Sequence, residues 1–250
     1  MHVGLIGAGN MARALARGWS DPVLVSDSGS GRARELVEEL GGDAVESNVE
    51  VADRADLVVL AHKPAQFEKV AGELRGHAKA VASVVGGVSS QALRDAYGVP
   101  VFRFTPNTPV EVRRGVVCYS PEPRVDARLE ADVLELFGRL GSVVKVPESL
   151  IGAAGAVMGV GPAYQALLVE AQVDAAVRHG LAPALAGRLV AETMAGTAAL
   201  LQTREYDTLA VRRAVTSPGG TTARGLAALE RGGVRPAFQE AFDAVVGCAR

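Results

Sequence analysis

The chain has 250 residues, 48% apolar and 22% charged, with a formal net charge of −2. That is enough apolar side chain for one large domain or two modest ones, and a charge this close to balance gives no electrostatic footing for nucleic acid or a membrane surface. The two cysteines, Cys118 and Cys248, have no CxxC spacing and the four histidines stand apart. No metal site is therefore expected, and a reducing, cytoplasmic compartment is the simpler reading.

Residues 2–6 read as a strand, followed by a helix over about 10–19. Residues 23–25 read as a second strand and 32–40 as a helix, with Leu36, Val37 and Leu40 on one face. The continuous apolar runs at 56–61 and 80–85 have the signature of strands covered on both faces. Shorter strands are expected at 101–104, 116–119 and 143–146, and a helix at 128–140 whose apolar side carries Leu129, Val133, Leu136, Phe137 and Leu140. This alternation predicts an α/β fold, a Rossmann-type doubly wound sheet over residues 1–148. After Pro147 the strand signals stop. Helices are expected near 149–179, 183–202, 207–215, 219–231 and 235–248, forming an all-α domain over 149–250.

Residues 150–169 carry no charge over a length that spans a bilayer. Their glycines, Pro162 and Gln165 suit a helix in a core or subunit interface better than one in lipid. So much small, uncharged surface is difficult to bury within about 100 residues, so a homodimer is expected.

Gly7-Ala8-Gly9-Asn10-Met11-Ala12 follows the first strand and opens the first helix, as in the G-x-G-x-x-G/A dinucleotide fingerprint. Gly7 permits the tight turn, Gly9 lets a pyrophosphate approach the backbone, and Ala12 is small enough for close helix–strand packing. The first helix offers free N–H groups and a partial positive charge to the phosphates. Asp27 ends the second strand where an acid meets the adenosine ribose, which favours NAD. Ser28, Ser30, Arg32 and Arg34 follow, and hydroxyls with a guanidinium suit the 2′-phosphate of NADP. On balance NADPH is expected, with NADH as the alternative.

His62-Lys63-Pro64 follows an apolar strand, at the carboxyl end where ligands sit in such sheets. Thr105-Pro106-Asn107-Thr108-Pro109 is a proline-stiffened loop whose Asn107 offers a donor and an acceptor, to a nicotinamide or to the next loop. In Gly159-Val160-Gly161-Pro162-Ala163-Tyr164, Pro162 is expected to kink or start a helix. The segment Thr216-Ser217-Pro218-Gly219-Gly220-Thr221-Thr222 is the most informative. Ser217 reads as a helix N-cap and Pro218 as the first helical residue. Glycines at the next two positions cost helix propensity and suit bare N–H groups gripping a carboxylate, with the Thr221 and Thr222 hydroxyls free for a second substrate atom.

These motifs together closely resemble the pyrroline-5-carboxylate reductase family, from GAGNMA through HKP, FTPNTP and GVGPAY to VTSPGGTTARGLAALE. The resemblance implies a Rossmann domain followed by a helical dimerisation domain, often in assemblies of dimers. It implies NAD(P)H-dependent reduction of the cyclic imine Δ1-pyrroline-5-carboxylate to proline. It further implies that Ser217, Gly219, Gly220, Thr221 and Thr222 bind substrate, with Thr222 near the ring nitrogen. Lys63, Pro64 and Asn107 match positions lining the cofactor or active site, and Asn48 one on the adenosine side. Thr222 and Lys63 are thus the candidate catalytic residues. The chain departs from the family at Val160, where serine is usual, and at Phe104 and Thr105, where valine or methionine is common. Other readings are a related imine or ketone reductase and a non-catalytic NADP-binding regulator. A hydroxyacid dehydrogenase would need a lysine in its helical domain, and residues 151–250 contain none.

Overall fold

A computed structural model of the chain describes residues 1–122 and 125–248; the side chain of Cys248 lies outside the described residues. Strand β1 (Val3–Ile6) leads into α1 (Asn10–Trp19), then β2 (Val23–Ser26), α2 (Arg32–Leu40), β3 (Gly42–Val45), α3 (Asn48–Arg54) and β4 (Leu57–Leu60). A 3-10 turn at Pro64–Gln66 starts α4 (Phe67–Leu74), followed by β5 (Val81–Ser83), α5 (Ser90–Tyr97) and β6 (Val101–Pro106). Strand β7 (Gly115–Ser120), α6 (Ala127–Gly138) and β8 (Gly141–Lys145) complete the sheet. Its order is β3-β2-β1-β4-β5-β6-β7-β8, parallel throughout except between β6 and β7.

The apolar runs are continuous because both faces of the sheet are covered. In β4, Leu57 and Val59 enter the core shared with α1, α2 and α6, while Val58 and Leu60 enter the core under α3, α4 and α5. The first core is organised by aromatic rings. Phe104 stacks on Phe137 at 3.8 Å between centroids and on Tyr119 at 5.0 Å, and Trp19 meets Phe137 edge-on at 5.6 Å. The unusual Phe104 is thus the centre of an aromatic cluster, and contacts of this kind add to the area they bury.

Four elements lie where no regular structure was expected: β3, α3, α4 and α5. Strand β3 is at the sheet edge and mostly exposed, so it carries no apolar run. The three helices have eight residues or fewer, so each repeats its apolar spacing for only about two turns.

After β8 come α7 (Ile151–Met158), α8 (Gly161–Arg178), α9 (Pro183–Thr203), α10 (Thr208–Ala214), α11 (Thr221–Arg231) and α12 (Val234–Cys248). The expected 149–179 helix is broken at Gly159-Val160, and α8 starts with Gly161 and Pro162 because proline cannot donate into a running ladder. The chain divides into two compact units, Met1–Pro162 and Ala163–Arg250. Helix α7 stays with the first because Ile151 and Met158 pack with Cys118 of β7. The second unit has little core of its own. Ala186 is the one fully buried apolar residue of α9, while Leu185, Leu189 and Leu200 on the same helix stay exposed. Two helical stretches, Glu148–Arg178 and Pro183–Thr203, are long and apolar enough by composition to cross a membrane.

Candidate active site

The turn after β1 is built around Gly7, whose φ of +102° belongs to glycine and whose added Cβ would stand 2.8 Å from the Ala61 carbonyl oxygen. Gly9 caps α1 in an extended conformation, and nothing lies within 4 Å of where its Cβ would point. The first ladder bond of α1 runs from Arg13 N–H to the Gly9 carbonyl, so the N–H groups of Asn10, Met11 and Ala12 precede it. This end of α1 is a phosphate cradle in form. It opens on a cavity of about 1150 Å³ between the carboxyl ends of β1, β2 and β4. A drug-sized pocket occupies about 300–1,000 Å³, so the space suits an extended ligand.

Ten of the expected cofactor residues line this cavity: Gly7, Gly9, Asn10, Met11, Asp27, Ser28, Arg32, Asn48, Lys63 and Pro64. Ala12 is fully buried behind it, where its small side chain lets α1 approach the sheet. Asn107 is elsewhere. Its Oδ1 accepts from Val116 N–H (2.8 Å) and its Nδ2 donates to the Met158 carbonyl (3.1 Å), so both ends of the buried amide are engaged within the first unit. Asn107 is not among the residues lining the cavity, and its side chain forms a brace between β7 and the end of α7.

Asp27 is turned into its own loop. Its carboxylate accepts from Gly29 N–H (2.8 Å), Ser30 Oγ (2.7 Å) and Ala33 N–H (3.0 Å). Burial pushes its pKa up, but the hydrogen bonds from Ser30, Ala33 and Gly29 outweigh this and hold it below the ordinary value. An acid expected to meet a ribose thus organises the loop that presents Ser28 and Arg32 to the cavity.

Sequence reasoning did not single out Gln66, Lys69, Val70 and Glu73, which line the α4 wall. Their i, i+3, i+4, i+7 spacing was the available signal. In the sequence His62 reads only as the start of the His62-Lys63-Pro64 motif, with no role of its own; its Nδ1 bonds the Lys63 carbonyl (2.9 Å) and its buried Nε2 has no partner among the described residues. Burial pushes the His62 pKa down, against a smaller upward pull from the Lys63 carbonyl.

In the second unit the SPGGTT segment differs from its expected capping. Gly219 has a φ of +69°, and Gly220 N–H donates back to the Ser217 carbonyl (3.0 Å). A helix cannot run through a left-handed residue, so Ser217 to Gly220 form a turn, as Pro at the second position and Gly at the third favour. The N-cap of α11 is Gly220, not Ser217, and the first helical residue is Thr221, not Pro218. The Gly220 N–H is thereby closed into the turn. Ladder bonding in α11 begins with Arg224 N–H to the Gly220 carbonyl, which leaves the N–H groups of Thr221, Thr222 and Ala223 ahead of it.

An eight-stranded doubly wound sheet, a glycine-led turn into α1 and a cavity over the strand ends define a dinucleotide-binding protein of the Rossmann class. The family model for pyrroline-5-carboxylate reductase dimerisation matches residues 148–250, and a model for NADP oxidoreductase, coenzyme F420-dependent, matches residues 2–87. A pyrroline-5-carboxylate reductase of Synechocystis is 34% identical, covering 98% of this chain and 95% of its own. A structure of 1-pyrroline-5-carboxylate reductase from Streptococcus pyogenes superposes with a TM-score of 0.89 at 31% identity, over 99% of this chain and 97% of that one. A Plasmodium falciparum pyrroline carboxylate reductase with NADP bound gives 0.86 at 26% identity, over 100% and 97%. The chain belongs to the pyrroline-5-carboxylate reductase family.

Proposed function

We propose that this protein is an NADPH-dependent Δ1-pyrroline-5-carboxylate reductase, forming proline from the cyclic imine. Family membership over nearly the whole chain carries this reading. The cavity supports NADPH as cofactor, because Ser28 and Arg32 line it beside Asp27, whose carboxylate already accepts three hydrogen bonds from its own loop. That arrangement favours a 2′-phosphate over a bare ribose, with NADH as the weaker alternative. When bound, the cofactor supplies the hydride for the imine carbon.

The protein's own groups do the rest by holding and orienting. The N–H groups of α11, those of Thr221 and Thr222 first, grip the substrate carboxylate in place of the Gly220 N–H. Gly219 and Ser217 shape the turn that aims them, and the Thr222 hydroxyl bonds the ring nitrogen. Threonine is a poor acid, so water relays the proton. Lys63 lines the cavity and serves the cofactor side of the reaction. Orientation of this kind removes about 7–11 kcal/mol of barrier at best.

The dimerisation match supports self-association, and the bare apolar positions of α9 support a homodimer or an assembly of dimers. The two long apolar helices then pack against a second copy rather than lipid, since Glu170, Asp174, Arg188 and Glu192 lie within them. The buried Cys118, unpaired among the described residues, is in keeping with a cytoplasmic setting.

The test is oxidation of NADPH and of NADH, followed spectroscopically with and without Δ1-pyrroline-5-carboxylate, with proline identified as product. Turnover that depends on that substrate supports the function. A folded, cofactor-binding protein that turns over only other imines overturns it.

A further inference from the structure

A cavity suited to a negatively charged diphosphate is also lined by a carboxylate from α4, that of Glu73. Hydrogen bonds fix where this carboxylate sits. Ser26 Oγ, at the carboxyl end of β2, donates to Asn48 Oδ1 (2.6 Å), and Asn48 Nδ2 donates to Glu73 Oε2 (2.6 Å). Glu73 is therefore tethered to the end of the second strand, the adenosine side of a bound dinucleotide. Among the described residues its other oxygen, Oε1, has only the exposed ammonium of Lys69, at 3.8 Å. Oε1 so keeps acceptor capacity, and the side chain remains 35% exposed. Apolar Val49, next to Asn48, and Val70, on α4 with Glu73, also line the cavity and give a flat base van der Waals surface.

We propose that Glu73 is a specificity-determining residue that reads the base of the cofactor. Its Oε1 accepts from the exocyclic amine of adenine, so the cavity selects a 6-aminopurine dinucleotide over a 6-oxopurine one. A 6-oxopurine presents a carbonyl oxygen in that place, and two acceptors repel. Asn48 and Ser26 act as positioning residues by holding the carboxylate. This selection rests on the cavity being the NADPH site.

The test uses the full-length protein and two probes, NADPH and its reduced hypoxanthine analogue, with dissociation constants from nicotinamide fluorescence titration. The wild type should bind NADPH about 10–100-fold more tightly than the analogue, the range for a hydrogen bond to a charged group. In Glu73→Gln the amide can rotate to donate to O6, so the ratio should fall below about threefold. Glu73→Ala should also collapse the ratio. Equal binding of both probes by the wild type overturns the proposal while leaving the cavity a dinucleotide site. Binding of neither overturns both. A ratio that persists in both variants shows that the base is read by another group.

Discussion

Asn107 offers a quantitative test of how the first unit is braced. Its amide joins Val116 N–H at 2.8 Å to the Met158 carbonyl at 3.1 Å, and the residue is 8% exposed. Asn107→Ala removes two hydrogen bonds with a net value of about 1 kcal/mol each, and strands a donor and an acceptor at about 1–3 kcal/mol apiece where they stay dry. Partial access of water to Val116 moderates the sum, so a loss of about 2–4 kcal/mol is expected. In urea, with a slope of about 1–3 kcal/mol per molar, the midpoint should fall by about 1–2 M. Unfolding would be followed by circular dichroism at one fixed protein concentration, because self-association contributes to apparent stability. Asn107→Asp keeps the acceptor for Val116 but sets a second oxygen against the Met158 carbonyl, and should be no more stable than Asn107→Ala at neutral pH. A loss below about 1 kcal/mol in Asn107→Ala, or a native-like Asn107→Asp, would refute the brace.

Other outcomes follow from the same geometry. Thr222→Ala should fold normally and lose roughly 10²–10³-fold in kcat if its hydroxyl acts in the transition state, and a loss below tenfold would sink that role. Gly7→Ala cannot hold a φ of +102° beside the Ala61 carbonyl, so NADPH titration should find its affinity lost or severely weakened. His62 is buried with a lowered pKa, so the unfolded chain binds its proton more readily than the folded one. Its contribution is present above the unfolded value of about 6.5 and is lost as pH falls through that value towards the folded one. His62→Leu should therefore flatten the decline in stability between pH 7 and pH 5, and an unchanged slope in urea titrations would contradict this.

The parts of the fold legible in the sequence were those whose burial leaves a pattern. β4 reads as Leu57 to Leu60 without interruption because both its faces are covered, and the α6 stripe through Val133 and Phe137 marks its buried side. The exposed β3 leaves no such mark. The glycine fingerprint was legible because its chemistry is local to one turn. The capping of α11 was not, since Ser-Pro before a helix suits both an N-cap and a turn, and only the left-handed Gly219 separates them. Asn107 was legible as a residue with a donor and an acceptor to place, but its bond to Met158 was not, and Glu73 escaped altogether. Met158 and Asn48, the partners of these two, are 51 and 25 residues away in the chain, and no spacing announces such a bond.

The engagement of Asp27 by its own loop has a consequence for how cofactor preference changes in descent. An acid that already serves three donors around it is not idle, waiting for a ribose. On the reading that the cavity holds NADPH, replacing Arg32 alone would leave Asp27 with its three donors still in place. Freeing the carboxylate for a ribose would also require rebuilding Gly29 to Ala33, so that α2 starts without Asp27. The folding of this loop and the charges that line the cavity are thus coupled at one residue.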